Sequence, residues 1–150
     1  MIYQDICSPF SFDGYAVKQI VFNRNEKCSR TTLELDFEIS SITPHFREDK
    51  GRYVGETGLT VDVFPRAIEQ DYPFECSVTV MGRFSAELSV NMEESVFHKR
   101  LSQNGLSILF PYVRAMVSDI TRMANVTPVI LPSINIVEYL KRYEKDNRFR

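Results

Sequence analysis

Residues 104–143, NGLSILFPYVRAMVSDITRMANVTPVILPSINIVEYLKRY, decide the fold. They read as a two-faced helix, an extended segment bracketed by prolines, and a second helix. Placed at about 100° per residue, Leu106, Leu109, Phe110, Val113, Val117, Ile120 and Ala124 form one apolar stripe. Ile108, Tyr112, Ala115, Met116 and Met123 form another. The polar arc left over, about 100° wide, carries Ser107, Arg114, Ser118, Thr121 and Arg122. A helix with two apolar stripes needs cover on two sides. One small sheet in a chain of this length covers one, so Ile108, Tyr112, Ala115, Met116 and Met123 are assigned to contact with another copy of the chain.

Local signals place the ends of these elements. Ser107 is expected to cap the long helix, which leaves Pro111 in its first turn. There its missing N–H costs little compared with the ~3 kcal/mol of an interior proline. Pro128 and Pro132 cannot continue the helix, and Ser133 starts the last one, in which Ile136, Val137, Leu140 and Tyr143 share a face. Residues 93–103 read as a short helix closed by the C-cap signal Asn104-Gly105.

Upstream the pattern switches to strands. Residues 15–22, 33–39, 59–64 and 74–81 are β-rich or alternating. Leu33, Leu35, Phe37 and Ile39 alternate with Thr32, Glu34, Asp36 and Glu38. Phe74, Cys76, Val78 and Val80 alternate with Glu75, Ser77 and Thr79. One face is apolar and the other acidic or hydroxylic, which suits an antiparallel sheet with one solvated face. Residues 23–30 and 40–58, rich in charge, Gly and Ser, read as loops. The expected fold is α+β: a four-stranded antiparallel sheet with C-terminal helices packed on one face, in one domain over residues 1–150.

Bulk properties exclude several functions. A formal charge of −2 argues against a nucleic-acid surface. The basic residues Lys141, Arg142, Lys145, Arg148 and Arg150 are interleaved with Glu138, Glu144 and Asp146, and read as solvating a helix end. Cys7, Cys28 and Cys76 are odd in number and lack C-x-x-C spacing, and the polar N-terminus has no secretory apolar run. A cytoplasmic protein is expected. No window reaches the ~18 uncharged apolar residues of a membrane span, so no membrane insertion is expected, and the sequon at Asn125 carries no meaning there.

Catalysis finds little support. Gly51, Gly55 and Gly58 lack the following Gly-Lys-Ser/Thr of a phosphate cradle. His45 and His98 have no Cys or carboxylate at a catalytic or ligand spacing and read as solvated or packed. Glu34, Asp36 and Glu38 recur with strand period and line an open face, where they repel one another. No metal or other cofactor is expected. Seven tyrosines, eleven phenylalanines and five methionines instead give wide, adaptable contact area.

The run SILFPYVRAMVSDITRMANVTPVILPSINIVEYL resembles the helix, loop and helix of the SecB family of protein-export chaperones, around its LFPYAR signature. Leu109, Phe110, Pro111, Tyr112 and Arg114 carry the match, followed by Pro128, Pro132 and Tyr139-Leu140. Weaker similarity extends upstream through PFECSVTVMGRF to about residue 15. The resemblance implies a cytosolic holdase, assembled as a dimer of dimers, that lays unfolded polypeptide clients into apolar grooves without a nucleotide.

Most of Phe37, Phe74, Phe84, Leu109 and Phe110 are expected in the core. The candidates for an open client groove are Tyr15, Val17, Phe22, Phe46, Tyr53, Ile136, Val137, Tyr139 and Leu140, where a last helix and a long loop cover the sheet imperfectly. The resemblance also implies delivery to the SecA motor through acidic sheet positions and a flexible tail. Here Arg24, Cys28 and Ser77 stand at three of those acid positions, and the chain ends basic. The face keeps Glu34, Asp36, Glu38, Asp62 and Glu75 as a possible docking surface, while the departures weaken the SecA implication. Two alternatives stand beside general export: a chaperone dedicated to one client such as an antitoxin, and a plain oligomeric interaction module.

Overall fold

The computed structural model describes residues 9–89 and 91–148. Cys7 and Arg150 lie outside them, as do the side chains of residues 144–148. Four antiparallel strands, β1 (Phe10–Arg24), β2 (Phe37–Asp49), β3 (Arg52–Val63) and β4 (Phe74–Glu87), form a sheet in the order β1-β4-β3-β2. One face is covered by α1 (Glu94–Arg100), a five-residue π-helical segment (Leu101–Gly105), α2 (Leu106–Met123) and α3 (Ile136–Arg148). This is the expected four-stranded α+β sheet with helices on one face.

The strands are longer than the alternation predicts, and one expected loop is mostly strand. Residues 40–58 complete β2, turn, and begin β3. The turn is made by Lys50 (φ 52°) and Gly51 (φ 77°) between the paired residues Asp49 and Arg52. Positive φ at both central residues is the geometry of a type I′ hairpin, matched to the strand twist. Charge and glycine content mislead here because β2 is an edge strand, wet along one side. Pro44 is accommodated at a register shift between Ile42 and His45, where no ladder N–H is needed. Conversely, residues 33–36 do not join the sheet: β2 starts at Phe37, and Leu33 and Leu35 lie in an extended connector.

The central strands alternate as a sheet with one covered face should. Leu59, Val61 and Val63 of β3 and Cys76, Val78 and Val80 of β4 are buried against Leu106, Leu109, Val113 and Val117 of α2. Each such aliphatic side chain contributes about 1.5–3 kcal/mol when fully buried. The first predicted stripe of α2 is thus largely core, with Ile120 half-buried.

Two predicted helix ends are corrected. Asn104-Gly105 does not close the preceding helix; the chain stays right-handed through the π segment, with Gly105 at φ −57° and ψ −45°. Gly105 is required for space instead. A Cβ there would meet Thr57 Cγ2 at 2.9 Å and the Phe84 ring at 3.3 Å. Ser107 consequently caps nothing and donates back to Gln103 O at 3.1 Å, and Pro111 lies inside a continuous helical rod rather than in its first turn.

The far end of α2 closes with Asn125 at φ 60°. Val126 N–H donates to Thr121 O (3.3 Å) and Asn125 N–H to Arg122 O (3.2 Å), the paired bonds of a Schellman motif. The following segment then runs back along α2, held by its polar arc. Arg114 Nε donates to Leu131 O (2.6 Å), Ser118 Oγ to Val129 O (2.9 Å), and Val129 N–H donates to Thr121 Oγ1 (2.9 Å). The polar arc is therefore mostly covered, and Thr121 is fully buried.

At the open end of the sheet, Asp71 ties the β1–β2 connector down. Its carboxylate accepts from Ser29 N–H (3.1 Å) and Ser29 Oγ (2.8 Å), and these bonds, the backbone one foremost, lower its pKa from the ordinary 3.8.

Two tests follow from these anchors. Thr121→Val keeps the shape but leaves the buried Val129 N–H unbonded, so it should destabilise the protein by about 1–3 kcal/mol in chemical denaturation, while Thr121→Ser costs less. Because the folded carboxyl of Asp71 is depressed, its stabilisation is present at neutral pH and lost as pH falls through the folded value. Asp71→Asn should therefore be less stable than the parent at pH 7, and the gap should close in strong acid; a constant gap would argue against the carboxylate as the anchor.

Candidate functional site

An apolar opening lies where the extended connector before β2 faces the segment after α2. It is a cleft of about 580 Å³ between Leu33 and Leu35 on one wall and residues 125–130 on the other. Phe64 and Phe74, both buried, also line it. Leu33 and Leu35 are each 40% exposed and Ile130 is 70% exposed. Their exposure has a local cause. Val129 and Leu131 are pulled inward by the bonds from α2, so alternation turns Ile130 outward. Arg24 lines the cleft as well, its Nη2 donating to Ala124 O at 2.7 Å beside the C-terminus of α2.

A second apolar surface joins β1 to α2. Tyr15, Val17 and Ile20 on the helix-covered face of the edge strand are exposed, as are Tyr112 and Met123. Tyr15 and Tyr112 are in ring contact at 4.9 Å, and Phe12 meets Tyr112 at 5.7 Å. Ile108 and Met116 are half-buried and Ala115 is exposed. The five residues of the second helix stripe thus run into Tyr15 and Val17, which sequence reasoning had placed in a separate groove. Ile20, not among the sequence candidates, joins them because a register shift between Val17 and Gln19 brings Ile20 and Phe22 onto the face of Tyr15 and Val17.

The remaining candidates are dispersed. Tyr53 is 6% exposed and Ile136 is 2% exposed, so both pack mainly in the core of the protomer, although Ile136 also borders an opening beside Phe110 and Arg114. Tyr53 stacks on Phe97 at 5.2 Å, and Phe46 packs edge-on to the same ring at 5.5 Å. Phe22 stacks on Phe74 at 5.2 Å, beneath the cleft. Val137 and Leu140 are half-buried. Tyr139 stacks on Phe37, and its hydroxyl accepts from Ile39 N–H at 3.2 Å, covering part of the free edge of β2. Burial pushes the Tyr139 phenol up, and the Ile39 bond partly offsets this.

On the opposite, helix-free face, register aligns Glu38, Asp62 and Ser77 across β2, β3 and β4. Glu75 lies on the same face and accepts from Asn23 Nδ2 at 3.1 Å, while Arg66 approaches Glu38 at 3.6 Å. Glu34 and Asp36 are not part of this face. They precede β2, and Asp36 accepts from the Tyr72 hydroxyl at 2.9 Å. The far end of the face carries His45, Arg47 and the Arg83–Glu56 pair at 3.4 Å.

Chemically, these surfaces are equipped for contact. Among the described residues no group of three or more His, Cys, Asp or Glu is placed to hold a metal ion. Burial, with Asp62 adding to it, raises the Cys76 thiol to about 11, leaving it protonated and inert at neutral pH. Cys28 donates its thiol to Asp71 O. No helix among the described residues is long and apolar enough to cross a membrane.

Comparison with known proteins agrees with the geometry. An uncharacterized protein of Methanocaldococcus jannaschii is 31% identical over 140 residues, covering 89% of this chain and 84% of that protein. The protein-export protein SecB of Anaplasma phagocytophilum is 29% identical over 123 residues, 78% of this chain and 75% of its own. Among solved structures, a SecB-like chaperone of Mycobacterium tuberculosis, in complex with a ChAD peptide from the HigA1 antitoxin, superposes with a TM-score of 0.58. That match has 14% identity and covers 83% of this chain and 90% of the other, a likeness of fold. A Streptococcus agalactiae protein of unknown function gives a TM-score of 0.50 at 12% identity, covering 83% and 97%. The family model described as Preprotein translocase subunit SecB matches residues 10–146, and the chain belongs to the SecB family.

Proposed function

We propose that the protein is a nucleotide-independent holdase chaperone of the cytoplasm that binds non-native polypeptides through apolar surface, as a homo-oligomer. The observation that carries this reading is the uncovered cleft bounded by Leu33, Leu35 and Ile130, on the scaffold of a chaperone family. Folded monomers rarely leave such large aliphatic side chains facing one another across an opening without a partner. An extended client segment laid there returns about 25 cal/mol per Å² of apolar area, offset by the cost of ordering the client. Single sites are therefore weak, and linked sites on several subunits raise the effective concentration. Phe22, Phe46, Val137, Tyr139 and Leu140 could extend contact beyond the cleft only where half-buried edges are accessible.

The joint β1–α2 surface supports assembly in this reading. Tyr15, Val17 and Ile20 of β1 and Tyr112 and Met123 of α2 are exposed, Ile108 and Met116 are half-buried, and the Tyr15–Tyr112 ring contact joins the strand to the helix. A second copy covering this surface would satisfy the second stripe of α2, with client segments left to the cleft. The acidic row Glu38, Asp62 and Glu75 stays available for a motor or other basic partner, with Ser77 interrupting it.

Binding should depend on the folding state of the client. Isothermal titration with a reversibly unfolded protein should give heat with its unfolded form and none with its native form; equal binding of both would refute the holdase reading. An apolar dye that stays dark with the native oligomer would favour the plain interaction module. For assembly, Met123→Glu is the informative change, since Met123 is 75% exposed in the protomer and a charge there costs the isolated subunit little. Buried unpaired at an interface it costs several kcal/mol, so light scattering should report a smaller particle. An unchanged mass would remove Met123 from the interface.

A further inference from the structure

Arg24 is the one charged side chain on the lining of the apolar cleft. It makes no ion pair among the described residues, and its single hydrogen bond there, to Ala124 O, occupies one of the five N–H donors of the guanidinium. The nearby acids are turned elsewhere. Glu34 and Asp36 line a separate opening on the far side of the Leu33–Leu35 wall, with Arg30 and Tyr72. Glu75 pairs with Asn23 on the opposite face of the sheet, whereas Arg24 is in register with Phe74 on the helix side. The walls also hold unused backbone groups: residues 32–35 and Ile130 make no backbone hydrogen bond among the described residues.

We propose that this cleft selects extended segments in which a carboxylate lies next to aliphatic side chains, and that Arg24 is the residue that determines this specificity. The inference rests on the chaperone reading above and adds the class of client. Alternate aliphatic side chains of the segment enter between Leu33, Leu35 and Ile130, and its backbone can pair with the unused groups of either wall, as in strand addition. The carboxylate then meets a cation already held in place by Ala124 O. Fixing the guanidinium beforehand lowers the ordering cost that weakens most exposed ion pairs.

Three labelled ten-residue peptides test this, each with leucine at alternate positions and differing only in an aspartate, asparagine or lysine beside the last leucine. Titrated against the intact protein at low salt and read by fluorescence anisotropy, the aspartate peptide should bind about threefold to fivefold more tightly than the asparagine peptide, the scale of one partly exposed ion pair. The lysine peptide should bind most weakly, and the spread should shrink markedly near 1 M salt, where the screening length falls to about 3 Å. Arg24→Gln should equalise the aspartate and asparagine peptides and leave asparagine-peptide binding intact; Arg24→Lys should retain the preference, and Arg24→Glu should reverse it. Equal binding of all three peptides to the parent, or a preference that survives Arg24→Gln, overturns the proposal. Leu35→Ser with Ile130→Ser separates the two levels of the argument. If that change abolishes binding while the three peptides bind alike, the cleft stands as the client site and the selectivity fails. If the peptides bind and the change has no effect, the cleft assignment falls, and the role of Arg24 with it.

Discussion

The hydrogen bonds that Arg114, Ser118 and Thr121 send from α2 to the backbone of residues 129–131 set most of what lies around them. A segment containing Pro128 and Pro132 cannot form its own helix, and away from a sheet its carbonyls would be left to water. Side chains on one helix face supply the partners instead. Because the bonds fall on alternate residues, the segment is fixed as extended chain with Val129 and Leu131 turned to the core and Ile130 turned away. The same bonds bury Thr121 without cost, since its hydroxyl both donates to Val117 O and accepts from Val129 N–H. An apolar cleft wall and a satisfied polar interior are thus two results of one arrangement.

The sheet divides labour between its faces and edges. Its covered face holds the aliphatic core under α2, and its other face is a polar field, acidic toward Glu38 and Asp62 and mixed toward Arg83 and Glu56. The edges differ as well. β2 carries a proline at its bulge, charges toward its end and a tyrosine hydroxyl on Ile39 N–H, features that discourage further pairing. β1 has guards of its own, two register shifts and Lys18, yet it presents Tyr15, Val17 and Ile20 exposed on its covered face. That exposed apolar row fits the proposed assembly on the β1 side.

Much of this could be read from residues alone, where side-chain period reports burial directly. The alternation of β4 and the first stripe of α2 give the right core because the face that each turns to the other layer is apolar at the element's own period. Reading failed where a residue type had a second use. Gly105 looks like a helix terminator, yet it is there because Thr57 and Phe84 leave no room for a Cβ. Ser118 and Thr121 read only as part of a polar arc, and nothing local shows that they bond the backbone of Val129. Leu33 and Leu35 alternate as a strand would, but no neighbouring strand pairs with them, and the cleft they line therefore had no local signature. Arg24 could be singled out by type, and its position between a helix end and that cleft depends on a contact spanning 100 residues.

The strand order has one more effect, on the chain as it is made. β2 and β3 are neighbours in sequence and join through a two-residue turn, and β4 adds to β3 after a short connection. β1 waits, because among the described strands it pairs with β4, and Phe10 must meet Ala86. During synthesis an apolar strand therefore leaves the ribosome some sixty residues before the surface that will shelter it, and closing that long loop is the slow kind of step in folding. On the function proposed above, the protein would itself be, for that interval, a chain of the kind it binds.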